Sequence, residues 1–378
     1  MRRFLSFLAV AVCLVAPAGA QTASGTEGLT VPSGFTIARI ATVPGARELT
    51  VAANGDLFVA TQSNTVYVVP EAQTNPRAAQ KFANVDDRPL AGVTIDGETM
   101  YLGAQFGVYS LPYHVGDRTA RSAPKKIASV RTSGLSRDHF TTTVAVSKST
   151  LFASVGSTCN VFDPDVDATR ATIQEMHLDG GGIQARTTHI RNAIALAVNP
   201  ATNALWAGVA GQDELAHGHP YEIFDNISAH GARSDYGWPH CYEDRRAVEP
   251  AHDCSEAAVP RVIMPAYETP IGATFYSSKG KYAFPAEYEG GAFITLHGSW
   301  HQPPVPPRVI FVPMNGDMPK TAINWNDPTT QWHEFVGGFQ HADGSRAFRP
   351  TGVAVGSDGS LFVSEDQSGA IFRVRPKS

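Results

Sequence analysis

The chain has 378 residues, with 30 Lys and Arg against 35 Asp and Glu and a formal net charge of −5. That acidic balance, without any block of like charge, argues against nucleic acid or an anionic membrane surface as partner, since both reward clustered cations. The length suits one large domain or two ordinary ones, and 34 Gly with 26 Pro fit a chain of turns.

The first segment reads as an address. Arg2 and Arg3 precede an apolar run from Phe4 to Val15, which closes on Pro17-Ala18-Gly19-Ala20. This predicts a secretory signal over residues 1–20, cut before Gln21. The run is short for a bilayer span, and no later stretch reaches about 18 uninterrupted apolar residues. Cys13 lies inside the run, not after a small-residue lipobox, which argues against a lipid anchor. The expectation is a soluble protein, periplasmic or secreted, with residues 21–378 as a single catalytic domain. Losing the two leader arginines moves its charge to about −7.

A hairpin pattern then recurs along the chain. It runs from Leu49 to Val59 around Asn54-Gly55, from Gly92 to Leu102 around Asp96-Gly97, and from Thr143 to Val155 around Lys148-Ser149. It continues from Ala195 to Val209 around Ala201-Thr202-Asn203. A less regular unit links Gly272–Tyr276 to Ala292–Leu296, and the last copy spans Gly352 to Val363 around Asp358-Gly359. Asn-Gly and Asp-Gly accept positive φ at low cost, and period-2 alternation marks strands burying one face at a time. Six such units, averaging about 60 residues, predict an all-β six-bladed β-propeller, which protects its strand edges by radial closure. An irregular pair of β-sandwiches is the competing architecture.

In a ring of this kind, reactive groups belong on loops at one end of the central channel. His139, in Ser136-Arg137-Asp138-His139, directly precedes the third hairpin; an imidazole there is a candidate base with a pKa near neutrality. Arg191 and Asn192 hold the same place in the next unit, where a guanidinium fork suits a carboxylate or a developing oxyanion. Ala210-Gly211-Gln212-Asp213-Glu214 follows the partner strand and could turn main-chain carbonyls onto a hard cation. Arg349, before Pro350-Thr351-Gly352, repeats the placement in the last unit. Each residue alone has a structural reading, as a surface residue or a loop cap. Their shared position sets them apart.

Three cysteines follow the leader: Cys159, Cys241 and Cys254. In an oxidising compartment Cys241 and Cys254 are placed to pair across a loop, leaving Cys159 as a buried or free thiol. No Cys-x-x-Cys-His occurs, so no c-type haem is attached.

His139 in Arg-Asp-His, the Arg191-Asn192 pair and Tyr236-Gly237-Trp238-Pro239 together resemble the soluble PQQ-dependent glucose and aldose dehydrogenases, and more closely their sorbosone-dehydrogenase-like branch. Gly34-Phe35, Gly156-Ser157, Leu205-Trp206-Ala207, Phe284-Pro285-Ala286-Glu287-Tyr288, Leu296-His297-Gly298-Ser299-Trp300 and Arg349-Pro350 extend the likeness over nearly the whole mature chain. The resemblance implies an oxidoreductase acting at C1 of an aldose or related sugar, with PQQ and calcium as cofactors. His139 would be the base; Arg191 would sit at the reacting quinone. Asp138, Asn192, Arg349 and His297 would contact PQQ, while the carbonyls of Gly211 and Gln212 would hold calcium. Electrons would leave to an external quinone or cytochrome.

The chain departs from the glucose enzymes twice. Ser157 stands where they carry an aspartate behind the catalytic His, and a serine orients the ring without charge-stabilising imidazolium. Their cofactor-contacting Lys would fall within His297–Trp300, where none exists; His297, His301 or Arg308 could replace it. Two further readings are a calcium-dependent lactonase or esterase, which would want converging carboxylates and Asn, and a binding propeller without chemistry.

Overall fold

The computed structural model describes residues 25–26, 28–131, 139–161, 167–216, 218–301 and 304–377. The expected signal segment, residues 1–20, and Asp138 lie outside them. Within them the fold is all-β. Its helical content is two short 3-10 turns, Ile227–His230 and Ala286–Tyr288.

Every expected hairpin forms. Val51 pairs with Leu57 across Asn54-Gly55, Asp96 with Thr99, Ser147 with Thr150, Val198 with Leu205, and Val355 with Leu361. In the irregular unit Phe275 pairs with Ala292 across a longer connection. Each hairpin grows into an antiparallel meander. Their first strands are Ala46–Val51, Leu90–Asp96, Val144–Ser147, Ala193–Val198, Pro270–Phe275 and Pro350–Val355. The first two meanders join in one sheet through a single bridge, Thr61 to Leu90. The last meander takes its outer strand from the other end of the chain: Phe35–Thr42 pairs antiparallel with Ala370–Pro376. That pairing staples the chain's two ends and covers an edge that would otherwise be open.

The first strands touch in succession, and Pro350–Val355 returns to Ala46–Val51. Their backbones approach too closely for side chains. A Cβ on Gly352 would stand 2.4 Å from the Arg47 carbonyl, and one on Gly272 would stand 2.2 Å from that of Thr351. Likewise Gly92 abuts Thr142. Starts therefore lie beside starts, which gathers the loop-to-strand junctions at one end. The strands enclose a cavity of about 570 Å³ lined by residues from each of them.

At two interfaces between neighbouring sheets the core is aromatic. Phe35 inserts edge-on among Phe284, Phe335 and Tyr288 at 4.7, 5.2 and 5.5 Å. Each such pair contributes about 0.5–1.5 kcal/mol beyond its burial, which clamps the closing strand. Trp206 fills the next interface against Phe224 and Phe275.

Candidate active site

His139 reaches the gathered end from the loop before Val144. Its Nδ1 lies 3.0 Å from Ser157 Oγ and 3.1 Å from the Ser157 carbonyl. The Ser157 hydroxyl donates to the Cys159 carbonyl at 2.7 Å, so its oxygen faces the ring as an acceptor. Both partners accept. Nδ1 therefore carries the proton, and Nε2 keeps its lone pair, with no hydrogen bond among the described residues. Burial, reinforced by the charges of Arg191, Arg131 and Arg170, pushes the imidazole pKa down to about 3. The ring is neutral at physiological pH, and its pKa lies well below the near-neutral value expected from the sequence, because burial and the neighbouring guanidinium groups disfavour imidazolium.

Two arginines that the sequence reading did not single out hold this arrangement. Arg131, 3% exposed, donates to the carbonyls of Gln105, His139, Phe140 and Thr141 and to Thr142 Oγ1. Arg170 donates to the carbonyls of Gly156 and Ser157. Gly156 makes room for the site: a Cβ there would lie 2.4 Å from Asn192 Oδ1 and 2.5 Å from His139 Cβ. His139 and Asn192 thus flank one bare stretch of backbone.

Arg191 is buried, and most of its fork is already engaged. Nε donates to the Asn160 carbonyl, one terminal nitrogen to the Ala210 carbonyl, and the other to Asn160 Oδ1 and Asp213 Oδ2 at 2.9 and 3.1 Å. Burial lowers its pKa, opposed by Asp213 and Glu222. Its backbone carbonyl accepts from Ser157 N–H, tying it to the His139 support. Asn192 is 6% exposed, and its amide makes no hydrogen bond among the described residues. The Gly211 and Gln212 carbonyls likewise accept none, while Gly211 N–H donates to buried Glu222 at 2.6 Å. Burial raises the Glu222 carboxyl to about 7.

Arg349 belongs to a second cluster. It donates to His297 Nδ1 at 2.8 Å, and His297 Nε2 faces Asp366 at 3.2 Å. Asp366 also receives Arg47 and Gln62 at 3.2 and 2.9 Å. Arg47 in turn reaches Thr141 Oγ1, two residues beyond His139, at 3.4 Å. The clusters of His139 and Arg349 are thereby linked through Thr141, whose carbonyl Arg131 holds together with that of His139. Burial opposes ionisation of Asp366, but its hydrogen bond with His297 and the charges around it hold its pKa below the usual carboxylate value.

Of the three candidates for the missing Lys, His297 lies inside this strap. His301 points Nε2 toward Asp213 at 3.7 Å. Arg308 turns to Glu268 and Glu334. Cys241 and Cys254 form the expected disulfide, and Cys159 is a free thiol. Arg47 and Asp366 were missed. Arg47 stands at a loop-to-strand junction like the others, so the same positional rule applied to the first hairpin finds it.

The donor set suits an anionic quinone. Arg349 Nε is buried with no hydrogen-bond partner among the described residues, and the Asn192 amide is uncommitted, while Arg47 and Arg191 are paired with Asp366 and Asp213. The carbonyls of Gly211 and Gln212, which accept no hydrogen bond among the described residues, are oxygens of the kind hard cations take. Among the described residues no three His, Cys, Asp or Glu side chains converge as a metal cluster. No helix among them is long and apolar enough to cross a membrane.

A TrAA12-like family model matches residues 239–377. An uncharacterized protein of Borreliella burgdorferi is 23% identical over 366 residues, covering 92% of this chain and 91% of that one. Among solved structures, the holo PQQ domain of pyranose dehydrogenase from Coprinopsis cinerea superposes with a TM-score of 0.78 at 18% identity, covering 92% of this chain and 97% of that one. A calcium structure of a Trichoderma reesei carbohydrate-active enzyme of family AA12 gives 0.77 at 19% identity, covering 93% and 97%. The PQQ-bound aldose sugar dehydrogenase of Streptomyces coelicolor gives 0.61 at 16% identity, covering 92% and 100%. This chain has the β-propeller-like fold of the soluble PQQ-dependent sugar dehydrogenases.

Proposed function

We propose that this protein is a PQQ- and calcium-dependent oxidoreductase that oxidises an aldose or related sugar at C1, with His139 as general base. The observation that carries the reading is the state of His139: a neutral ring with Nδ1–H committed to Ser157 and Nε2 free, beside the uncommitted amide of Asn192. In this reading the fold is a six-bladed propeller, which the closed succession of first strands supports. Residues 21–378 form its one catalytic domain, exported to the periplasm or the medium after removal of the leader.

His139 Nε2 takes the proton of the sugar hydroxyl, while Ser157 and Arg131 keep the ring in place. Bound PQQ supplies the two-electron acceptor for the C1 hydride, and calcium supplies Lewis-acid polarisation. Asn192 and Arg349, with Arg191 and His297 around them, orient the quinone and its carboxylates. Gly211 and Gln212 hold calcium through their carbonyls, on a loop that Glu222 fixes from behind. Asp138 is carried in this reading as a residue beside the base. Electrons pass on to a separate quinone or cytochrome.

Mixing the purified protein with PQQ and calcium tests the reading. A quinone absorbance change with sugar-dependent dye reduction is expected, and chelating calcium should weaken PQQ binding. Lactone hydrolysis without quinone would replace the reading with a hydrolase; neither activity would leave a binding propeller.

A further inference from the structure

Among the described residues, the exposed large apolar side chains are Val115, Phe140, Val161, Ile183, Trp300 and Met318. Three of them are chain neighbours of residues in or beside the site. Phe140 follows His139, Val161 follows Asn160, which binds Arg191, and Trp300 precedes His301, the neighbour of Asp213. Isolated exposed apolar residues need no explanation; what sets Trp300 apart is the structure built behind it.

Trp300 is the most exposed of them, at 71%, yet it is firmly backed. Its indole stacks on His301 at 4.2 Å, and His301 stacks on Tyr267 at 3.6 Å with the planes 9° apart. The Tyr267 hydroxyl accepts from Glu214 N–H. The loop beneath is pinned by Gly298 N–H to the Glu268 carbonyl, by the Ser299–Val305 bridge, and by Arg346 donating to the Ser299 carbonyl. One face of the indole is thus held against protein and the other is presented to solvent, so a ligand would find it already ordered.

A single flat apolar face, with Asp213, Glu214 and Arg346 around the stack, has the chemistry of a sugar-ring platform. A pyranose carries C–H bonds on its faces and hydroxyls on its edge, so it can lie on an indole while its edge meets polar groups. An apolar protein or lipid partner would want a broader greasy area.

We propose that Trp300, backed by His301 and Tyr267, is a second sugar-binding position, and that the substrate class is oligosaccharide. The ring being oxidised lies at His139 and the adjoining ring lies on Trp300. The first half rests on the redox reading above; stacking on Trp300 does not.

Titrating PQQ-free protein with maltose and cellobiose, and with glucose as control, while reading tryptophan emission tests the platform. A saturable change with a blue shift is expected for a disaccharide, none for glucose, and Trp300→Phe should abolish it. In the loaded enzyme, Trp300→Ala should raise the disaccharide KM up to about tenfold, leaving kcat and the glucose KM unchanged. No saturable emission change with either disaccharide, or equal KM changes for one ring and two, would overturn the proposal. So would slower reduction of a cytochrome acceptor with unaltered sugar kinetics, which would make the aromatic rim an acceptor dock. Disaccharide-dependent emission in a protein that oxidises no sugar would instead sink the redox reading and leave the platform standing.

Discussion

His139 and His297 reach the same end of the molecule from different sheets, and both are held neutral by burial beside guanidinium groups, at about 3 and about 4 respectively. They differ in their second nitrogen. His139 spends Nδ1–H on Ser157 and leaves Nε2 open. His297 accepts from Arg349 at Nδ1 and turns Nε2–H to Asp366, so neither nitrogen is spare. A depressed pKa therefore does not mark a catalytic histidine by itself. The unspent lone pair is what fits His139, and not His297, for the proposed role of base, and the His297 arrangement serves as a strap that keeps Arg349 and Arg47 in register.

The largest expected effect separates the two rings. His139→Ala should cut turnover by about 10²–10⁴ while PQQ binding, read by quinone absorbance, stays largely intact. Equal loss of binding and turnover in a folded variant would move His139 out of the role of base. Asp366→Asn should do the opposite. Its carboxylate, 6% exposed, is the counter-charge for Arg47 and the acceptor for His297, and removing one partner from such a buried network costs about 3–5 kcal/mol. Urea unfolding of the unloaded protein should register that loss for Asp366→Asn, and a much smaller one for His139→Ala. A reversed order would erase the distinction between base and strap.

Acid sharpens the comparison. Both histidines have folded pKa values below the ordinary 6.5, so between those limits the unfolded chain binds more protons. Their contribution is complete above about pH 6.5 and is lost as pH falls toward 4. Asp366 acts in a lower window. Its folded pKa is depressed, so its contribution holds above about 3.9 and disappears only as pH drops further. From pH 7 to 4.5 the two histidines should therefore lower the unfolding midpoint of the unloaded protein before Asp366 protonates. The buried carboxyls of Glu48, Glu222 and Glu268, raised to about 8, 7 and 7, work in the opposite sense, so the midpoint should fall more steeply with acid in Glu222→Gln. A ring titration by NMR placing either histidine near 6.5 would contradict the packing described.

How much of this was legible in the sequence depended on whether a contact followed a repeat. His139, Arg191 and Arg349 precede first strands, so the hairpin period located them. Arg47, second residue of the strand Ala46–Val51 and just before the Leu49–Val59 hairpin, was within reach of the same period and overlooked. Asp366 and His297 could not be found that way, because their contact spans 69 residues and depends on the close approach of two sheets. Arg131 was hidden differently. It works through the backbone carbonyls it collects from 139 to 141, and a carbonyl has no residue-type signature. The resemblance implied a Ser157 that orients the His139 ring without charge. The structure adds that the Arg191, Arg131 and Arg170 charges beside it already favour the neutral form.

The smallest effects test that last point. Ser157→Ala removes one acceptor from His139 Nδ1 but leaves the Ser157 backbone carbonyl at 3.1 Å, so the tautomer survives. Turnover should fall only about threefold to tenfold, in line with one neutral hydrogen bond worth about 1 kcal/mol. Ser157→Asp keeps an acceptor and adds a negative charge, which favours imidazolium and must move the ring pKa upward. The two variants together separate orientation from charge. If Ser157→Ala were as damaging as His139→Ala, the carbonyl would not be holding the ring, and the tautomer argument would rest on the serine hydroxyl alone. If Ser157→Asp left the titration of His139 unmoved, Nδ1 would not face residue 157 in solution, and the contrast with His297 would lose its basis.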